Sequence, residues 1–459
     1  MSRSPWLAAI VAVIALALWC GGAAPASAQT LDEALGAAYL GNPQLRAARA
    51  QLRATDEQVP QALSGWRPTV TITGEIGKQR DNFNQSSGQP DVTTTPERAA
   101  LNIVQPIFRG GRTIAATSQA ENAVRAQRAV LQSTEQVVLL NSVTAYMDVA
   151  RDRAVVALTR SNEQVLVRDL EATRDRFKVG EVTRTDVAQA EAALAQATAQ
   201  RIQAEGNLIA SGARFVEQIG TRPQTLRQPS VPLALLPSSE SETVAGSINN
   251  PDLVSSQYNE RSAQDAVDVA FGQMLPELNL TGTLSYDKDI VGLGIERSTA
   301  QVLAQVTIPL YQAGNVESQV RQAKQTASQL RVTIYQQRRA AAQAATTAWQ
   351  ELQTARSQIV SFRAQTKANE IALEGVRQEA QVGARTVLDV LDAEQALLTS
   401  QVNLVRAQHD EVVAAYTVIA AVGRLTARNL SLKVPLYDPE AHYHDVRDQW
   451  FGISIDDKP

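Results

Sequence analysis

From Arg112 to Lys178 the chain runs without a single proline or glycine. Alanine, glutamine, arginine, glutamate, valine and leucine fill the stretch, all residues that form or tolerate helix. A helix over it would reach roughly 100 Å at 1.5 Å per residue, far beyond the width of a small globular domain. A second stretch of the same kind spans Asn315 to Gln381, and each is followed by a short Val-Gly turn and another helix. Aromatic residues make up only 5% of the sequence, which suits extended helices with thin seams better than one thick core.

The two long stretches belong to an internal repeat. Asn42-Pro43 returns as Asn250-Pro251 and Arg67-Pro68 as Leu275-Pro276, both 208 residues on. The offset then becomes 203 and holds: Gln105-Pro106-Ile107-Phe108 with Ile308-Pro309-Leu310-Tyr311, Gly111 with Gly314, Val179-Gly180 with Val382-Gly383, and Asp186-Val187 with Asp389-Val390. One change of offset confines the length difference to a single loop. The chain therefore divides into a first repeat over 29–220, a proline-rich linker over 221–239, a second repeat over 240–423 and a non-repetitive tail over 424–459. Each repeat reads helix, strand, loop, strand, long helix, turn, helix, with the hairpins spanning 112–219 and 315–422.

The strands are expected at about 69–80 and 98–108, and again at about 277–287 and 299–310. They alternate: Val70, Ile72 and Ile76 oppose Thr69, Thr71 and Thr73, while Leu101, Ile103 and Ile107 line one face of the second strand. Leu278, Leu280 and Leu284 oppose Asn279, Thr281 and Ser285, and Val302, Ala304, Val306 and Ile308 complete the set. Such strands suit either a one-sided sheet or a membrane barrel with lipid outside and water inside. Four strands cannot close a barrel, whose minimum is about eight, so a membrane reading requires several chains to pool theirs. The Pro-Ile-Phe-Arg-Gly-Gly and Pro-Leu-Tyr-Gln-Ala-Gly exits mark where strand gives way to helix, with proline ending the ladder. Past each turn a seam of large and small residues recurs at heptad spacing, Val187 and Leu194 with Ala190, Ala197 and Ala204, then Val390, Leu397 and Leu404 with Ala393, Ser400 and Ala407. Arg201 breaks the first seam where Leu404 continues the second.

Residues 1–28 read as a secretion signal: Arg3, an apolar run from Leu7 to Trp19, and Ala26-Ser27-Ala28 for cleavage. Acylation at Cys20, the only cysteine, is the rival reading. No later run approaches the ~18 apolar residues of a spanning helix. A net charge of −4 advertises no nucleic-acid surface. No phosphate loop, nucleophile elbow or zinc spacing stands out, so neither an enzyme nor a cofactor is expected. His442 and His444 lie in a carboxylate-rich tail without metal-motif spacing, and His409 lies on a helix seam with no partner evident.

The hairpin tips are more informative. The first reads Val179-Gly180-Glu181-Val182-Thr183-Arg184-Thr185-Asp186, the second Val382-Gly383-Ala384-Arg385-Thr386-Val387-Leu388-Asp389, followed by Asp392. Glycine stops one helix, threonine caps the next, and Asp186 and Asp389 complement its dipole. Asp392 is left over, one turn on along the same face as Asp389.

The tips, the paired strands and the duplication together resemble the TolC family of trimeric outer-membrane channels over nearly the whole mature chain. The resemblance implies an α+β membrane protein, a homotrimer sharing a twelve-stranded antiparallel β-barrel, four strands per chain, continued by a long α-helical coiled-coil periplasmic tunnel. It places Asp389 and Asp392 in carboxylate rings at the inner gate and Asp186 with Arg385 in a closed-state link. It assigns Val179, Gly180, Glu181, Val382, Gly383, Ala384, Arg385 and Thr386 to adaptor docking. Ala380 stands where the family has a tyrosine in that link. The implied partners are two further copies, a periplasmic adaptor, a proton- or ATP-driven inner-membrane transporter and outer-membrane lipid of a Gram-negative bacterium. The expected function is the passive exit duct of a tripartite efflux pump or type I secretion system. A periplasmic coiled-coil adaptor is the alternative, but it would have one hairpin and no strands ahead of each long helix. A structural surface fibre would have no use for duplicated Asp-bearing turns.

Overall fold

The computed structural model describes residues 28–82, 91–229, 231–290 and 293–454. The expected signal sequence and Cys20 lie outside the described residues, apart from Ala28. Asn42 ends the first helix, α1 (Leu31–Gly41), and caps the second, α2 (Pro43–Asp56): its Oδ1 accepts from the amide of Gln44, and Pro43 occupies the first turn, where its missing N–H costs nothing. α3 (Gln58–Leu63) leads into β1 (Thr69–Ile76). The stretch between the first two expected strands, read only as a loop, carries a short antiparallel pair, β2 (Gln79–Asp81) with β3 (Val92–Thr94). β4 (Glu97–Arg109) returns to α4 (Arg112–Lys178), unbroken for 67 residues, and α5 (Arg184–Ile219) runs back. The second repeat supplies α6 (Glu240–Gly246), α7 (Pro251–Phe271), β5 (Glu277–Lys288), β6 (Glu296–Thr307), α8 (Asn315–Gln381) and α9 (Val387–Ala421). A last short helix, α10 (Ala441–Val446), lies in the tail.

The long strands form one antiparallel sheet in the order β1-β4-β5-β6. Register assigns each row to a face. One face stacks Val70, Ile103, Gly282 and Val302 across the sheet, then Ile72, Leu101, Leu284 and Ala300. The other stacks Thr71, Asn102, Thr283 and Gln301, and at the far end Glu75, Arg98, Asp287 and Arg297, whose signs alternate from strand to strand. Arg98 Nε donates to Asp287 at 2.7 Å and Arg297 lies 3.6 Å from it, so the 3%-exposed carboxylate of Asp287 is held between two guanidinium groups. Apolar rows on the first face lie open, Ile72, Ile76 and Val302 above all. Both outer edges, on β1 and β6, have no partner strand among the described residues.

Proline does not end the first ladder as expected. β4 continues through Pro106 to Arg109, with a bulge between Pro106 and Phe108 that leaves Ile107 as the extra residue. The bulge reverses parity, so Phe108 and not Ile107 joins Leu278 and Val306 on the apolar face. Strand β6 does stop at Thr307, short of Pro309.

Below the sheet the short helices complete what the hairpins leave open. α5 and α9 are about half as long as the helices they pair with, and α7 packs along the upper parts of both α4 and α8. The seam positions that are fully buried are the small ones, Ala190, Ala197, Ala204 and Ser211 in α5, Ser400, Ala407 and Ala414 in α9. Their small volume lets the helices approach closely. Arg201, at the broken seam position, is paired with Glu163 at 2.6 Å and Glu205 at 2.8 Å. The main core sits midway along α4, where Leu139, Val143, Tyr146 and Phe215 meet Leu35, Leu45 and Leu52 from the first helices. The tail joins it through Leu425, Ala427 and Leu432, so this part is built into the wall and is no loose end. The single hydroxyl proton of Tyr146 is shared between the carbonyls of Gln29 (2.8 Å) and Arg227 (2.6 Å), tying the first described residues and the linker to α4, and burial raises its pKa to about 12.

Candidate functional site: the paired hairpin tips

Each tip is built by the same local chemistry. Helix α4 ends at Val179 and Gly180, with Gly180 at φ +82°, and α8 ends at Val382 and Gly383, with φ +77°. Glycine reaches this left-handed region without a Cβ penalty. Thr183 and Asp186 then form a full capping box: the Thr183 amide donates to Asp186 Oδ2 at 2.7 Å, and the Asp186 amide donates to Thr183 Oγ1 at 3.3 Å. Thr386 and Asp389 repeat it at 2.9 and 3.3 Å, and these hydrogen bonds hold the Asp389 carboxyl below the usual range. Asp392, one turn further, is exposed and has no capping role.

The two tips enclose a cleft of ≈ 680 Å³. Asp186 and Arg385 both line it, but they are not paired within the protomer. Arg385 Nε donates to Glu379 at 2.8 Å, which raises its pKa, and Asp186 is occupied by its cap. Val179 and Val382 project into solvent at the extreme ends, with Glu181, Ala384 and Thr386 exposed beside them. Ala380, in the tyrosine position, lies on the cleft wall.

Two residues of the cleft lining, Asp169 and Arg377, belong to a group the sequence reading missed. Arg377 of α8 pairs with Glu394 of α9, whose side chain is 7% exposed, and Asp169 of α4 faces the same guanidinium. Burial raises the pKa of both carboxyls, with Arg377 opposing, and Asp169 Oδ2 has no hydrogen-bond partner. Three helices from both hairpins thus share one cation. A signal did exist: the 203-residue offset maps Arg174 and Glu191, paired at 2.7 Å in the first hairpin, onto Arg377 and Glu394. The first pair is half exposed, whereas the second lies under α4, beside Leu166, Ala197 and Leu391.

Two histidines also gain partners. His409 Nε2 meets Asp148 at 3.0 Å and Nδ1 meets Asp410 at 2.8 Å, linking α9 to α4. His442 meets Asp56 at 3.2 Å and holds α10 against α2, while His444 lies edge-on to Tyr443.

An amphipathic four-stranded sheet continued by two long helical hairpins whose tips carry carboxylates defines the outer-membrane channel class. Comparison with known proteins agrees. The profile of the outer membrane efflux protein family matches residues 34–221 and 247–424, one match per repeat. The chain is 36% identical over 436 residues to the outer membrane efflux protein BepC of Brucella suis, covering 94% of this chain and 93% of that one. It is 25% identical to the outer membrane protein TolC of Escherichia coli, covering 88% and 84%. Among solved structures it resembles the CmeC outer membrane channel of Campylobacter jejuni, with a TM-score of 0.77 at 18% identity over 91% of this chain and 89% of that one. The open-state MtrE channel of Neisseria gonorrhoeae gives 0.70 at 18% identity over 86% and 89%. This chain belongs to the outer membrane efflux protein family. It is an outer-membrane exit duct.

Proposed function

We propose that three copies close one twelve-stranded barrel and continue into the periplasm as a single helical tunnel, gated at the hairpin tips. The open edges of β1 and β6 carry the reading. In lipid an unpaired strand edge leaves backbone groups unsatisfied, at several kcal/mol each, so the sheet must close on copies of itself. Threefold symmetry then brings six carboxylates of Asp389 and Asp392 to one opening, which attracts cations and resists anions. Their repulsion favours widening. The Asp169–Arg377–Glu394 group resists it within each protomer, and Arg385 resists it by turning to Asp186 of a neighbouring hairpin. Docking of a periplasmic adaptor on Val179–Glu181 and 382–386 shifts that balance towards open, and an inner-membrane transporter supplies the energy.

Planar-bilayer recording tests the gate. Asp186→Asn keeps an acceptor for the Thr183 amide yet removes the charge, and it should raise conductance. Asp389→Ala with Asp392→Ala should weaken cation preference. Unchanged behaviour in both removes the gate assignment. A heat-modifiable trimer in the outer-membrane fraction tests the assembly, and a polypeptide that is monomeric and soluble without detergent refutes it.

A further inference from the structure

The segment after α10 carries a group of large apolar side chains that are left open among the described residues. Trp450 is 59% exposed, Phe451 88% and Ile453 103%. The segment is nevertheless held in place. Arg67 Nη1 donates to the carbonyl of Gln449 at 2.6 Å, and its guanidinium stacks 5.0 Å from the Trp450 ring centre. Gln449 Nε2 donates to the Phe451 carbonyl at 3.0 Å. Gly452 turns the chain at φ +130°, a backbone conformation that side-chain-bearing residues rarely adopt, so the turn that presents Phe451 and Ile453 favours glycine.

The anchor point gives the height. Arg67 lies two residues before Thr69, the first residue of β1, at the end of the sheet where all four strands meet helix. At that level Trp66 and Phe108 are also open, Phe108 at the foot of the apolar face. Barrels in the outer membrane carry aromatic girdles where the apolar band meets water, because an amphipathic ring prefers the headgroup layer. We infer that residues 449–454 form an interfacial anchor: Trp450, Phe451 and Ile453 enter the periplasmic headgroup layer of the outer membrane beside the start of β1. Arg67 sets the depth of Trp450. The tail thereby extends the aromatic girdle from outside the barrel sequence and braces the helical wall against the bilayer. This rests on the barrel reading, since the apolar face of the strands defines the membrane level.

The test uses the mature full-length protein in phospholipid nanodiscs, with Trp66→Phe and Trp349→Phe leaving Trp450 as the reporter; Trp6 and Trp19 lie in the expected leader. Brominated phospholipid should quench Trp450 and iodide should not, and its emission should be blue-shifted. A second reporter, Phe451→Trp with Trp450→Phe, should behave the same way. Ile72→Trp, with Trp450 also replaced by Phe, reports the barrel itself. Quenching of Trp450 by iodide but not by bromolipid places it in water and overturns the anchor. Protection from both means that protein covers it, a neighbouring copy among the candidates, and overturns it equally. If the Ile72→Trp reporter also escapes bromolipid, the barrel reading fails and the anchor with it.

Discussion

Replacing Arg377 with methionine leaves Glu394 of α9 and Asp169 of α4 without their shared cation. A buried acceptor deprived of its partner costs about 1–3 kcal/mol, so R377M should lower the thermal midpoint of the purified protein and raise resting conductance. Adding Glu394→Leu should restore part of the stability, as removing both members of a buried pair is often near neutral. Additive losses in the double variant would show that the two side chains are not coupled. At His409 burial opposes protonation, but hydrogen bonds to Asp148 and Asp410 outweigh it and the pKa is raised; Arg151 and, through Asp148, Arg214 are the facing cations. A raised histidine contributes fully below its unfolded value of 6.5 and less as pH rises through the folded value. His409→Gln should therefore cost more thermal stability below 6.5 than well above it, and equal losses at both would exclude the charged link.

Among the elements, the passage from sheet to helix is the least forgiving. Gly110 sits at φ +60° against Gly272, where a Cβ would lie 2.4 Å from the Gly272 carbonyl oxygen. Gly180, also left-handed at φ +82°, faces open space. Gly180→Ala should cost about 1–2 kcal/mol for the left-handed backbone alone. Gly110→Ala adds a clash with backbone that cannot yield, so its trimer should melt at a distinctly lower temperature on a gel; similar melting of the two variants would refute the clash. The bulge at Ile107 works on the same junction. It absorbs a proline within a ladder and returns Phe108 to the apolar face, which a regular strand of this sequence would turn the other way.

For the whole molecule the decisive property is the one the proposed trimer gives it: one chain would hold a third of a closed surface. Its two faces make opposite predictions at adjacent positions. Val302→Arg on the apolar face should cost about 2–4 kcal/mol if it meets the bilayer midplane and should deplete heat-modifiable trimer. Gln301→Arg on the polar face should leave trimer intact and shift ion selectivity. Equal tolerance at both positions would mean that neither face meets lipid.

Much of this was legible in residue order. The sequence alone determined the duplication, the long helices, the strand faces and the capped tips, because periodicity, glycine and proline placement and capping act over a few residues. Asp389 was read as a helix cap in this way, since a tip announces itself by its turn; the gate role proposed for Asp389 and Asp392 rests on the family resemblance instead. Only the tertiary structure decided which copy of a repeated pair matters: Arg174–Glu191 and Arg377–Glu394 are equivalent in sequence, and packing under α4 makes one buried and leaves the other in water. It also decided that Ile107 is the bulge residue, that His409 finds Asp148, and that the tail returns to Arg67 at the foot of the sheet. Those facts depend on contacts between segments up to hundreds of residues apart, and burial, which sets the strength of a charge, exists only once those segments have met.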